Sequence, residues 1–323
     1  MGCIKIIMIK SINLKSIYKS FSSIGMTALL LLLFLAGHLS GQKSVIVYTS
    51  DHVPISYRIY GSGKPLLIIN GGPGMNSDGF EGLAVSLSKD FQTIIYDQRG
   101  TGKSVMKKVD STTITMALMI SDIESIREQL GYEKWSILGH SFGGMLASAY
   151  ATVHPDRIDK IILSSSGGID LGLLSYFRES FNSKLTATQL DSIAYWDGQI
   201  AAGDTSHDVR LARGRNMAPA YVQDPKFIPV IAERLTQGNS TLNQLMWQDM
   251  RRINFNCAEK LKSYTGPLLI IQGRQDIIRP ETVEKAQKAF SNSRVVYMEH
   301  CGHYGWLDNP EVYFKEVTEF LRG

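Results

Sequence analysis

KWSILGHSFGGM, residues 134–145, decides how this chain folds. It opens as a short apolar run, passes through Gly139-His140-Ser141-Phe142-Gly143, and continues into a stretch with helical composition. A G-x-S-x-G pattern between a buried strand and a helix is a sharp corner, where small residues let the backbone turn and hold the serine up in a strained conformation. The helix start behind Ser141 then favours negative charge developing beside it.

Outward from that corner the same rhythm repeats. Towards the N-terminus stand FQTIIYD (91–97) and PLLIIN (65–70), with an amphipathic stretch from Thr112 to Leu130. Towards the C-terminus, a helix from Gly143 to His154 is followed by IDKIILSS (158–165), then by GPLLIIQG (266–273), a helix around Glu281 to Phe290, RVVYME (294–299) and a closing amphipathic helix from Pro310 to Leu321. Apolar runs of strand length alternating with helical periodicity predict an α/β fold, a mostly parallel central sheet flanked by helices. Val45 to Thr49 and Ile55 to Tyr60, joined by a turn, predict an antiparallel lead-in. From 168 to 256 the rhythm changes to helix formers broken by Gly and Pro, which predicts a helical cap inserted into a core of residues 42–167 and 257–323.

A serine hydroxyl is a weak nucleophile until a base takes its proton, and the base needs an acceptor that fixes its tautomer. The sequence offers both after Ser141. Asp276 lies just past the strand LLIIQG, and His303 follows the next strand in a Gly-rich loop. Loops leaving the C-terminal ends of parallel strands meet at one sheet edge, so Ser141, Asp276 and His303 are the expected catalytic set. His300 is the nearest rival for the base, Glu299 and Asp308 for the acid, and Asp276 also reads as a helix N-cap ahead of Pro280. Two N–H donors should face the developing oxyanion: that of Phe142, following the nucleophile, and that of Gly72 in the loop Asn70-Gly71-Gly72-Pro73-Gly74. The end of Asp97-Gln98-Arg99-Gly100-Thr101-Gly102-Lys103-Ser104 is similar to a phosphate-binding loop, but the first glycine of that pattern falls on Asp97, which argues against a nucleotide site.

With these residues placed, the chain resembles the α/β-hydrolase superfamily over about residues 45–322, and within it the prolyl iminopeptidase group of serine peptidases. GGPG at 71–74 and DQRGTGKS at 97–104 carry the narrower likeness. The resemblance implies a helical cap over the site, oxyanion donation from Gly72 and Phe142, and release of an N-terminal residue, often proline, from a peptide. Asn70 and Phe142 depart from the group, which has histidine before GGPG and tryptophan or tyrosine after the serine. The group holds the substrate's amine with cap glutamates. Between residues 168 and 256 this chain has only Glu179 and Glu233, so Glu233 is the first candidate for amine binding and Glu179 the second, an exposed salt-bridge role being the alternative. A carboxylic-ester hydrolase and a non-catalytic ligand-binding protein of the same fold are the competing functions.

Charge excludes little beyond a nucleic-acid partner. The formal +4 comes from Lys5, Lys10, Lys15 and Lys19, in a segment of residues 1–41 without an acid; removing those four from 34 basic residues leaves 30, equal to the 30 acidic ones. That segment, with its apolar stretch MTALLLLLFLA (26–36) and the small residues Gly37, Ser40 and Gly41, predicts an export signal cleaved near Gly41 and a periplasmic or extracellular enzyme not retained in the membrane. The stretch is shorter than the roughly 20 residues of a membrane span. Cys257 and Cys301 then remain, read as two buried thiols, and no spacing suggests a metal or cofactor; the expected partner is a small molecule or short peptide.

Overall fold

The computed structural model describes residues 44–323, so the expected export signal lies outside the described residues. Eight strands, β1 (Val45–Tyr48), β2 (Pro54–Tyr60), β3 (Pro65–Ile69), β4 (Gln92–Tyr96), β5 (Trp135–His140), β6 (Ile158–Ser164), β7 (Leu268–Gly273) and β8 (Ser293–Met298), form one sheet in the order β1-β2-β4-β3-β5-β6-β7-β8. The pairs β1–β2 and β2–β4 are antiparallel, and every later pair is parallel. This is the α/β architecture expected from the alternating runs.

Why the runs are continuously apolar follows from the strand period of two. In β3, Leu67 and Ile69 join one core with Ile137, Ile161 and Ile270, while Leu66 and Ile68 join another with Leu138, Ile162 and Ile271. Both faces of the sheet are therefore buried, and no polar alternation survives. The helices Met116–Gln129 and Phe142–Val153 cover the first face, and Glu81–Leu87 and Pro310–Arg322 cover the second. The helix expected from Thr112 starts at Met116 because the Thr115 side chain caps it, accepting from Leu118 N–H, while Thr112 closes a turn on Asp110.

Between β6 and β7, residues 165–267 carry the helices Phe177–Asn182, Ala187–Ala201, His207–Met217, Ile228–Thr236 and Ser240–Arg252. Ala187–Ala201 has no fully buried residue, whereas Ile228–Thr236 buries Ile231, Ala232, Arg234 and Thr236. Among the described residues no helix is long and apolar enough to cross a membrane.

Candidate active site

The parallel registers bring four strand ends to one edge. Ile69 of β3 lies beside Gly139 of β5, His140 beside Ser164 of β6, and Ser164 beside Ile271 of β7. The loops that follow β3, β5, β7 and β8 hold Gly72, Ser141, Asp276 and His303 respectively.

Ser141 occupies the residue between β5 and the helix Phe142–Val153 at φ 54° and ψ −120°, a conformation non-glycine residues rarely adopt. Two contacts force that corner. A Cβ on Gly139 would stand 2.4 Å from the Gly143 carbonyl oxygen, and one on Gly143 would stand 2.1 Å from the Ile69 carbonyl oxygen. The close crossing of helix and sheet thus admits only glycine at 139 and 143. Strain of this kind costs on the order of 1–3 kcal/mol and is retained where the surrounding structure over-determines it.

His303 and Asp276 are buried together, and the histidine Nδ1–H donates to Asp276 Oδ1 at 2.8 Å. The carboxylate also accepts from Ile278 N–H at 3.0 Å and from Gln272 Nε2 at 2.8 Å, so its position is fixed from three sides. With Nδ1 protonated, the free Nε2 of a neutral imidazole is an acceptor. The His303 main-chain N–H donates to the Tyr221 carbonyl at 2.7 Å, which ties this loop to the insertion. His300 is exposed and lines no part of the cavity described next.

Ser141 and His303 line one cavity of about 310 Å³, together with Gly71, Gly72 and Phe142. Phe142 N–H belongs to the first residue of its helix and has no intrahelical acceptor. Gly72 has φ 72°, which lets its backbone run close beneath Met75. Most of the remaining wall is apolar, Met145, Leu173, Phe177, Leu235, Trp247 and Ile277 among it, with Asn243, Tyr221 and Tyr304 as polar members. Among the described residues no carboxylate lines it.

That last observation corrects the expectation for Glu233 and Glu179. Glu233 is exposed and accepts from His207 Nε2 at 2.9 Å; Glu179 is exposed and pairs with Arg279 at 2.8 Å. On the helix Ile228–Thr236 the flanking Ala232 and Arg234 turn inward, so Glu233 between them turns out. The pairing raises the pKa of His207, Glu233 being the first cause.

Residues that sequence reading passed over also reach this site. Trp247 and Asn243 come from the helix Ser240–Arg252, and Asn243 Nδ2 donates to the Pro73 carbonyl at 3.1 Å. His140, the variable residue of G-x-S-x-G, packs its ring 4.7 Å from that of His303, 4.9 Å from Trp306 and 5.0 Å from Tyr304. Burial, reinforced by the neighbouring His303 and Arg234, holds its pKa well below the usual histidine value, so it stays neutral. Only its adjacency to Ser141 could have drawn attention to it. Cys257 and Cys301 are buried and form no disulfide among the described residues, and burial pushes the Cys257 thiol up to about 12.

A family model described as the alpha/beta hydrolase fold matches residues 64–310. This chain belongs to that family. A proline iminopeptidase of Heyndrickxia coagulans is 28% identical over 269 residues, covering 81% of this chain and 91% of the relative. Another, from Lactobacillus helveticus strain DPC 4571, is 26% identical over 277 residues, 82% of this chain and 93% of the relative. Among solved structures, an esterase from Exiguobacterium antarcticum superposes with a TM-score of 0.67 at 21% identity, over 87% of this chain and 100% of that one. The proline iminopeptidase of Mycobacterium smegmatis gives 0.64 at 21% identity, over 87% and 98%. The α/β hydrolase described here is thus an enzyme related to the proline iminopeptidases, sharing its fold with esterases.

Proposed function

We propose that this α/β hydrolase is an exported serine hydrolase that cleaves small substrates or short peptides through a covalent acyl-enzyme, with Ser141 as nucleophile, His303 as base and Asp276 as the group that orients the base. The observation that carries the reading is that the strained Ser141 opens onto the same cavity as His303, whose other ring nitrogen is held by buried Asp276. In the first step Ser141 Oγ bonds to the acyl carbon, its proton passes to His303 Nε2, and the carbonyl electron pair moves onto oxygen, where the N–H groups of Gly72 and Phe142 receive it. Collapse returns that electron pair, expels the amine or alcohol with the proton from His303, and leaves the acyl-enzyme for water to cleave.

The acyl group is compact and apolar, because the cavity walls are. Kinship with the proline iminopeptidases, and the two motifs GGPG and DQRGTGKS, support an N-terminal residue such as proline as that group. A cavity without a carboxylate is a poor host for an ammonium ion, since burying an unpaired charge costs several kcal/mol. An α-amino group, however, has a pKa of about 7.7–8.0, and shedding its proton at neutral pH costs only about 1 kcal/mol. The substrate therefore enters as the neutral amine. The same absence of a carboxylate favours a second reading, a simple carboxylic ester.

One experiment separates them. For a prolyl or alanyl arylamide, kcat/KM is expected to rise with pH through one more ionisation than for an aryl ester of similar size, the extra one near the substrate amine's own pKa of about 7.7–8.0. Turnover of aryl esters with no arylamide cleavage at any pH gives the site to the ester reading. Export, supported by the lysines and apolar stretch of residues 1–41, is checked by sequencing the mature N-terminus, expected near Gln42. An intact Met1 on the native protein from the soluble fraction refutes it.

A further inference from the structure

One buried cation lies beside the site without lining it. Arg234, in the insertion helix Ile228–Thr236, is 3% exposed and stacks its guanidinium 5.0 Å above the Phe80 ring. Burial lowers its pKa from the ordinary arginine value, yet an arginine stays charged in a protein. Its Nη1 donates to the Asn76 carbonyl and to Gln237 Oε1, both at 2.7 Å, and its Nη2 donates to the Gly71 carbonyl at 3.0 Å. The Asn70 side-chain amide donates to that same carbonyl at 3.1 Å.

We infer that Arg234 is a positioning residue for oxyanion stabilisation, holding the Gly71 carbonyl so that the N–H at the far end of the same peptide bond, that of Gly72, is aimed into the cavity. The peptide plane makes this geometry necessary. Among the described residues every peptide bond is trans, and in a trans peptide the C=O and the following N–H point in opposite directions. Gly71 and Gly72 line the cavity while Arg234 does not, so the guanidinium holds the carbonyl from behind and the N–H faces inward. A charged donor on the carbonyl also polarises the amide and makes its N–H a stronger donor. A glycine pair with φ 72° at its second residue has little stiffness of its own, which is why an external clamp matters here. Arg234 thereby contributes to the chemistry without lining the cavity, unlike its neighbour Leu235.

This inference rests on Ser141 being the nucleophile, so the experiment begins there. Ser141→Ala must abolish turnover of whichever aryl ester or arylamide the protein cleaves; if turnover persists, the serine-hydrolase reading fails and the inference with it. Given that loss, Arg234→Met, folded by circular dichroism, is expected to lower kcat by about 10–100-fold with KM within about twofold of the parent, since a misaligned donor retains part of the effect of a deleted one. A trifluoromethyl ketone with the substrate's side chain, which forms an oxyanion adduct, should bind weaker by the same factor. The matching secondary alcohol, which forms none, should bind as before. Equal weakening of ketone and alcohol, or an unchanged kcat, overturns the inference while leaving the serine reading intact. Should Arg234→Met not fold, Arg234→Lys takes its place: one ammonium cannot serve the Gly71 and Asn76 carbonyls as a planar guanidinium does, and a loss of about 5–20-fold in kcat and ketone affinity is expected, with parent-like values overturning the inference. In the unsubstituted protein the Gly72 amide proton should move downfield when the ketone binds, and an unmoved resonance counts against the inference without any substitution.

Discussion

Two glycine-rich corners of this molecule, Asp97–Ser104 and Gly139–Gly143, look equally eventful in sequence and behave differently in space. In the first, the charged side chains of Asp97 and Arg99 are spent on the protein itself. Asp97 accepts from Ser77 N–H at 2.9 Å, Ser77 Oγ at 2.7 Å and Lys103 N–H at 2.9 Å. Arg99 is fully buried and donates to both oxygens of Asp122, at 2.8 and 2.6 Å, and to the Thr113 carbonyl at 2.8 Å. The second corner leaves Ser141 and Phe142 lining a cavity. A motif whose hydrogen bonds close on themselves holds a shape, and one whose groups are left open at a cavity acts on something else. The two are linked through Gln98, whose Nε2 donates to the Asn70 carbonyl at 3.0 Å and so steadies the loop that carries Gly72.

Substitutions at the two corners should therefore fail in opposite ways. Ser141→Ala is expected to remove turnover by several orders of magnitude, about 10⁴-fold or more, with a melting temperature near the parent's, read by steady-state kinetics and a fluorophosphonate label that disappears from this residue. Ser141→Gly should be equally inactive yet more stable by about 1 kcal/mol, because glycine tolerates φ 54°. Arg99→Met should do the reverse, costing about 3–5 kcal/mol of stability while kcat per folded molecule holds. Burial already raises the Asp122 pKa to about 6 with Arg99 in place. With the arginine gone that raised value climbs further, so the loss should be smallest at low pH, where Asp122 is protonated, and grow as pH rises. A kcat that collapses in parallel with stability would erase the distinction between the corners.

A smaller effect belongs to His140. Because its folded-state pKa lies well below the usual value, the unfolded chain binds one proton more once pH falls below about 6.5, and stability declines there by up to about 1.4 kcal/mol per pH unit. In His140→Gln, denaturant titrations between pH 6.5 and 5 should show a shallower slope by that amount. The smallest expected change is at the exposed rim: Glu233→Gln should alter stability by no more than about 0.5 kcal/mol and leave kcat/KM for a free-amine substrate nearly unchanged. A large loss would return Glu233 to the site.

How far the sequence reveals this molecule depends on where each signal originates. Sheet and order of elements are legible because strands buried on both faces must be apolar throughout, as in LLII at 66–69 and LLII at 268–271. Asp276 and His303 are legible for the same reason, since a strand's end announces the loop after it. The insertion is harder. Its helices are mostly half-buried, and which way each residue turns depends on neighbours far along the chain. Glu233 and Arg234 make the point: adjacent in sequence, one faces solvent and the other is buried against the Gly71 carbonyl, and nothing in Ala232-Glu233-Arg234 alone distinguishes them. A lone buried arginine is read as surface until its partners, the carbonyls of Gly71 and Asn76, are known to be there.

The loop that carries His303 is bolted to the insertion twice, through His303 N–H on the Tyr221 carbonyl and through Asp308, whose carboxylate accepts from the N–H groups of Gln223 and Asp224 at 3.0 and 3.1 Å and from Gly302 N–H at 2.8 Å. This makes the insertion a poor candidate for modular exchange. A segment grafted in its place from a related hydrolase would have to present a carbonyl where Tyr221 does and two amide groups where residues 223 and 224 do, or the histidine loop would lose its footing. Chimaeras that keep residues 218–225 and replace only 184–206 should retain an ordered histidine, whereas those that exchange the whole of 165–267 should not.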